Sequence, residues 1–399
     1  MARLNFYERA AKLGHSVESL KAGNSITTTI RVFNVDELRK LLDDGASPEE
    51  RAERELQLFG TVPIQDISDT ADAAIMRRVH AFLYGNADLA ESDRDMIQGS
   101  FPISVEVSSA PDFKYDVPTD LGTSLPLIIK NYGTVTINNG ACVNVHNSKL
   151  QYTMDTLIRN GAPPAGFGDF NVFGVDGAQG KPGPDGTNQG KATNGSNGTC
   201  SSCGIASDPG RTGDPGATGG EGKPGNTGFD GLASKAASFT ITTAIKASNV
   251  VFYTRSGAGG KGGQGGKGGK GGDGGDGGRG AHCSATGSAG GNGGAGGAGG
   301  VGGDGGQGGN GVPAEENILV YVPAASIGIV SSASDNALFG DGGDGGKGGA
   351  GGTGGTGGSG GPSNPDGTKG GDGGKGGDGG TGPKGTKTGS PAAIQIRPI

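Results

Sequence analysis

Hydrophobic and polar positions divide the chain into three textures. Through about residue 100, apolar residues recur at helical spacing, as over Asp69–Tyr84, where Ala73, Met76, Val79, Ala81 and Phe82 repeat at that period. Phe6–Lys12 predicts another helix and Ser25–Phe33 a strand. Asn34 with Glu37, leading into a helix to about Asp43, and Ser47-Pro48-Glu49-Glu50 carry the signatures of helix N-termini. From Phe101 the pattern becomes β-like: FPISVEVSS, then LPLIIKNYGTVTINNGACVNVHNSKLQYTMDTLIRN. Val135–Ile137 and Cys142–Val145, flanking Asn138-Asn139-Gly140, read as two strands joined by a tight turn.

The third texture has a period of three. Gly259–Gly280 reads GGKGGQGGKGGKGGDGGDGGRG, and the rule returns over Gly290–Gly311. A period of three is neither helical (3.6) nor strand-like (2); it is that of the extended polyproline II conformation. Lys261, Gln264, Lys267, Lys270, Asp273, Asp276 and Arg279 then share one edge, and the other two edges are bare glycine. Bare edges let neighbouring segments approach closely enough for N–H···O=C bonds between them. A flexible linker has no need to keep its frame, whereas these runs keep theirs.

Such runs occupy roughly 174–198, 204–231, 257–280, 287–311, 340–361 and 370–389. Their connections alternate in kind. Residues 199–208, 281–286 and 362–369 are short and polar; 238–255, 317–339 and the C-terminal 392–399 are apolar and strand-like. Up-and-down runs therefore place three polar loops at one end and the strand-like segments at the other, where they join the sheet begun earlier. The expected fold is mixed: a small helical/β region over 1–100 for attachment or assembly, an antiparallel β-sandwich-like base over 101–172 completed by 238–255, 317–339 and 392–399, and a bundle of about six polyglycine/polyproline II helices over 173–391. The run at 210–231, with mostly one glycine per turn, is expected at the periphery, and Ala295, Ala298 and Val301 mark a drier edge than Lys261–Lys270.

Ninety glycines, no Trp and 31% hydrophobic residues exclude one conventional core spanning all 399 residues. A net charge of −7, with Lys and Asp mixed along the runs, argues against nucleic-acid binding and against a polybasic membrane surface. The N-terminus MARLNFYERAAKLGHS lacks the apolar segment of a signal peptide, and no apolar run is long enough for membrane insertion. The expected location is extracellular or particle-associated, without a signal peptide.

Candidate chemistry is sparse. Gly257–Gly262 fits G-x-G-x-x-G, as any period-three glycine run does, but no β-α context follows. GGDGGDGG lacks the apolar residue that calcium-binding nonapeptide repeats require, and the doubled glycines depart from collagen. His80 reads as a structural histidine and His146 as part of a turn. Cys200, Cys203, His282 and Cys283 fall in two loops at the same end and admit a disulfide, free thiols or a zinc set, the last disfavoured because adjacent His and Cys rarely ligate one ion. A redox Cys-x-x-Cys enzyme would need a βαβ setting. No catalytic constellation and no cofactor are expected.

The framed runs 259–280, 290–311 and 342–361, joined at one end by short loops, resemble the polyglycine II bundles of phage tail-fibre tip adhesins. That resemblance implies a stiff stalk whose distal loops bind the host surface. A second resemblance, to the glycine-rich antifreeze proteins of springtails, implies a flat face of small residues presented to ice; the charged Lys261–Lys270 edge argues against that role. Both rest on periodicity over about residues 174–389. The expected function is a structural, adhesive one. Binding is expected at Cys200, Ser201, Ser202, Cys203, Ile205, Asp208, His282, Cys283, Ser284, Asn364, Asp366 and Lys369. The expected partners are a cell-surface receptor or glycan, and a fibre shaft protein or copies of the chain itself through residues 1–100. The alternatives are a self-assembling extracellular filament or surface-layer subunit, and an ice-binding protein.

Overall fold

The computed structural model of the chain describes residues 3–59, 72–122 and 126–399. The N-terminal region forms α1 (Phe6–Lys12), α2 (Val17–Lys21), β1 (Ile26–Val32), α3 (Val35–Leu42), α4 (Pro48–Phe59), α5 (Asp72–Tyr84) and α6 (Glu91–Gln98). The first residues of the expected Asp69–Tyr84 helix, 69–71, lie outside the described residues. The caps form as their sequences require: Asn34 Oδ1 accepts the Glu37 N–H at 2.9 Å, and Glu37 Oε2 accepts that of Phe33 at 2.7 Å. At the next helix Ser47 Oγ accepts the Glu50 N–H at 3.2 Å and Glu50 Oε2 accepts the N–H of Ser47 itself at 2.8 Å.

The rest of the regular structure is β: β2 (Ile103–Tyr115), β3 (Thr119–Asp120), β4 (Leu127–Ile137), β5 (Val143–His146), β6 (Lys149–Arg159), β7 (Phe170–Phe173), β8 (Thr199–Cys200), β9 (Ala206–Asp208), β10 (Ala237–Lys246), β11 (Val250–Arg255), β12 (Ile318–Val322), β13 (Val330–Asp335) and β14 (Ile394–Pro398). A seven-stranded sheet runs β1-β2-β4-β6-β10-β12-β14, and a five-stranded sheet runs β13-β11-β7-β5-β3. Only β1 is antiparallel to its neighbour in the first; the second is entirely parallel. From β2 onward, apart from the separate β8-β9 pair, the chain coils, alternating one strand in the large sheet with one in the small sheet.

The expected fold class is corrected in two respects. The base is not an antiparallel sandwich but two sheets in parallel register, because strand alternation looks the same in either direction. Asn138-Asn139-Gly140 does not close a hairpin; it turns the chain from β4 in one sheet to β5 in the other, with Gly140 at φ +76°. Nor is there a bundle of six helices. Among the described residues, helix is confined to α1–α6 and a 3-10 segment at Ala324–Ile329, none of it in the glycine-rich runs. Those runs are extended backbone, and their amides bond across runs rather than along them.

The extended runs (174–198, 210–231, 257–280, 290–311, 340–361 and 367–389) leave from β7, β11 and β13 and return toward β10, β12 and β14. Runs 1, 3 and 5 hydrogen-bond side by side, as in Gly180 N–H to Lys261 O and Gly262 N–H to Asp341 O, both 2.9 Å. Runs 2, 4 and 6 form a second layer, as in Gly216 to Ala295 and Gly296 to Gly371, both 2.8 Å. Gly300 joins the layers: it donates to Gly269 O, and its carbonyl accepts from Gly349, both at 2.8 Å. A Cβ on Gly299 would lie 2.0 Å from Gly349 O, so the doubled glycines of run 4 are obligatory. At Gly371, Gly374 and Gly377 of the outermost run 6 a Cβ would meet nothing within 4 Å.

Two cores hold the base. Between the sheets pack Tyr152, Phe170, Phe239 and Phe252, with Phe170 and Phe252 stacked at 5.0 Å. The outer face of the large sheet (Val105, Val107, Leu127, Ile129) is covered by Val35, Leu42, Val79 and Phe82 of the helices. With both faces covered, β4 is buried almost throughout its length. His80 packs at the junction of α5 and the large sheet: its Nε2 lies 3.0 Å from Lys149 Nζ and 3.5 Å from Glu316 Oε1, and burial and Lys149 both lower its pKa. Buried Arg159 is ion-paired to Asp169, and Arg159 also donates to the carbonyls of Ile137 (3.1 Å), Asn138 (2.6 Å) and Ala141 (3.3 Å), closing the corner between sheets.

Candidate functional site at the tip of the arm

The three polar loops meet at the far end of the runs. The first is a small hairpin, β8 paired with β9, turned at Ser201–Gly204 with Gly204 at φ +73°. Ser201 N–H donates to Ile205 O at 2.8 Å and its hydroxyl to the same oxygen at 3.1 Å. Asp208 accepts from the hydroxyls of Thr199 (2.7 Å) and Ser207 (3.2 Å), which hold its carboxyl below the usual range, Thr199 contributing most. Ser202 and Cys203 are exposed, as is Ile205, whose apolar side chain stands in solvent.

A disulfide joins Cys200 to Cys283 of the second loop. The same two loops are tied by Ala285 N–H to Gly204 O (3.0 Å) and Ala206 N–H to Thr286 Oγ1 (2.8 Å). Ser284 is exposed beside Gly204. His282 Nε2 lies 3.2 Å from Gly360 O, reaching the base of the third loop. There Asp366 accepts the Gly360 N–H at 2.7 Å, and Asn364 Nδ2 donates to Pro362 O at 2.9 Å. Lys369 is not on the tip: run 6 is in register from Gly367, and the Lys369 ammonium pairs with Asp372 at 3.0 Å on the flank.

Of the possibilities open for the cysteines, the structure selects the disulfide for Cys200 and Cys283; Cys203 is a free, exposed thiol and Cys142 a buried one. Among the described residues no group of three or more His, Cys, Asp or Glu is placed to hold a metal ion. Sequence reasoning missed Thr286 and Ser288, whose hydroxyls join the loops: Ser288 Oγ accepts from Ala281 N at 2.7 Å and donates to Asp208 O at 3.1 Å. Neither residue carries a signal beyond its nearness to a loop.

The side chains of the two layers differ. The layer of runs 1, 3 and 5 presents Lys261, Lys267, Asp273, Asp276 and Arg279, laced by pairs such as Lys261–Asp344 at 3.0 Å. The layer of runs 2, 4 and 6 presents Ala295, Ala298 and Val301 beside Gly371, Gly374 and Gly377, all exposed. Among the described residues no helix is long and apolar enough to cross a membrane.

No protein-family model and no curated protein matches the sequence. Among solved structures, the nine polyproline type II helical bundle springtail antifreeze protein from Granisotoma rainieri is similar at 20% identity, over 57% of this chain and 96% of that one, with a TM-score of 0.07. A TM-score that low carries no argument about fold or function.

Proposed function

We propose that the chain is a structural, adhesive protein rather than an enzyme. Residues 1–100 attach it to a fibre shaft or to further copies, the coiled β base carries the arm, and the tip recognises a cell-surface receptor or glycan, in the manner of a phage or injection-particle fibre adhesin. One observation carries this reading: three loops far apart in sequence are gathered at the end of the arm, the first two clamped by Cys200–Cys283 and the third reached by His282. Loops held on a rigid scaffold are where recognition resides. A disulfide also suits an oxidising setting outside the cytosol. The test replaces 199–208, 281–286 and 362–366 with Gly-Ser turns of equal length and measures adsorption of labelled protein to a panel of bacterial cells. Adsorption should vanish while folding is kept; adsorption that survives there but is lost on deleting residues 1–100 would reverse the assignment of ends.

The structure gives one specific observation in favour of ice binding as a second reading. The Lys261–Lys270 edge that argues against it lies on the layer of runs 1, 3 and 5, whereas the opposite layer exposes a small uncharged patch of Ala295, Ala298 and Val301 beside Gly371, Gly374 and Gly377, bordered by Glu221 and Asp304. Thermal hysteresis by the wild type that Ala298→Lys abolishes would support this reading, and its absence at millimolar protein would end it.

A further inference from the structure

We propose that the outer face of the five-stranded sheet carries a second binding site, unconnected with the tip, for a neutral saccharide. An open groove of about 450 Å³ lies where that sheet meets the start of run 1, within the size range of ligand sites. Parallel register sets His146, Phe173, Arg255 and Asp335 side by side on four successive strands, β5, β7, β11 and β13. Phe173 is the hub of a ring cluster. His146 stacks on it at 5.2 Å and 23°, while Phe167 and Tyr253 meet it edge-on at 6.0 and 5.7 Å. Phe173 is itself buried, at 8% exposure, beneath the other rings, and Phe167 stands 43% exposed at the groove. A concave site lined by aromatic rings with a few convergent polar groups is the usual form of a small-ligand site.

Polar groups border the rings. Arg255 Nη2 donates to both oxygens of Asp176, at 3.2 and 3.0 Å, and its buried Nε has no partner. The Tyr253 hydroxyl donates to Asp335 at 2.7 Å, and His146 Nδ1 is 3.5 Å from Asp120 Oδ1. These charges decide the ligand class. Arg255 is neutralised by Asp176, and two further carboxylates stand at the rim, so a phosphate or other anion is disfavoured. A quaternary ammonium needs several open ring faces around it, whereas one face of Phe173 is covered by His146 and its edge is met by Phe167 and Tyr253. A pyranose satisfies both halves: its C–H face lies on the rings, and its hydroxyls exchange hydrogen bonds with planar carboxylate and guanidinium groups.

The experiment is saturation-transfer NMR on the full chain with malto-, cello-, manno- and N-acetylchito-hexaose and tetramethylammonium as separate probes. At least one saccharide should receive saturation, its affinity should fall ten-fold or more in Phe167→Ala at unchanged melting temperature, and the chain with exchanged tip loops should bind as the wild type does. Should Phe167→Ala not fold, Tyr253→Phe, which keeps the ring and removes only the hydroxyl, should weaken binding several-fold. Silence from all four saccharides, equal binding by the variants, or binding of tetramethylammonium alone overturns the proposal. Loss of binding in the loop-exchanged chain would instead return recognition to the tip.

Discussion

The carboxylate of Asp276 accepts both the N–H and the hydroxyl of Thr356, at 2.9 and 2.8 Å, across 80 positions of sequence. Asp273 and Thr353 repeat the contact one triplet earlier, at 2.8 and 3.0 Å. Outward residues of a run have no neighbouring carbonyl for their amides, so an Asp or Asn from the adjoining run supplies the acceptor. Asn188 to Lys270 N–H and Asn292 to Thr368 N–H, at 2.7 and 2.9 Å, do the same.

The arm should therefore be acid-sensitive. The hydrogen bond from Lys191, then that from the Thr356 N–H, lowers the Asp276 pKa from 3.8 to about 2. Bonds from backbone N–H groups are the main cause of lowering at Asp273, Asp372 and Asp378. A carboxyl depressed on folding stabilises fully above its unfolded pKa, and that contribution disappears as pH falls through the folded one. The arm's melting temperature should hold from pH 7 to about 4 and fall between about 4 and 2. Asp276→Asn, which still accepts the Thr356 N–H but does not titrate, should flatten the profile; an unchanged profile would remove Asp276 from the account.

Gly299 and Gly374 should respond oppositely to substitution. A Cβ on Gly299 would stand 2.0 Å from a neighbouring carbonyl, so Gly299→Val should cost at least about 1–3 kcal/mol. Gly374→Ala meets nothing, and by restricting the unfolded chain it should be neutral or stabilise by up to about 1 kcal/mol. Gln307→Lys, on an outward edge, should change stability by less than about 0.5 kcal/mol. Chemical denaturation of the three variants checks this, and equal tolerance would strip the glycine frame of structural meaning.

Arg159→Ala should be among the most damaging single changes in the base. The side chains of Arg159 and Asp169 are each 1% exposed, and removing the arginine leaves the buried Asp169 carboxylate without its counter-charge and takes a donor from each of the Ile137, Asn138 and Ala141 carbonyls. Breaking such a pair costs about 3–5 kcal/mol. Replacing both partners with Met and Leu should recover much of the loss, measured by urea unfolding.

Reduction of Cys200–Cys283 should loosen the tip and spare the base. The bond spans a separation of 83 residues, for which chain entropy sets an upper contribution of about 4–5 kcal/mol. Hydrogen exchange with and without reductant should show faster exchange at Ala206 and Ala285, with the strands of the base unchanged. Uniform acceleration would mean that the arm and base unfold as one unit.

The period of the runs was legible because each triplet states which residue can face a neighbour and which must be glycine. The lateral bonding followed from that, and so did the meeting of the polar loops. Strand direction did not, since Val135–Ile137 alternates identically in a hairpin and in a coil. Arg159 and Asp169 carry no sequence signal of pairing, and only the corner geometry buries them together. Spacing alone would have paired Cys200 with Cys203 as readily as with Cys283; adjacency of the loops decides it. The ring cluster had no linear signature, because His146, Phe173 and Tyr253 meet only through parallel register.

The shared register of the six runs has a consequence for how this molecule can vary. An amide in run 1 answers a carbonyl in run 3, which is itself in step with runs 2, 4 and 5. A one-residue insertion in any run would put every later outward side chain against a neighbour's backbone. Length is therefore inherited in whole triplets, matched at one height in all six runs, so the arm's reach is quantised while the loops at its end are free to differ residue by residue.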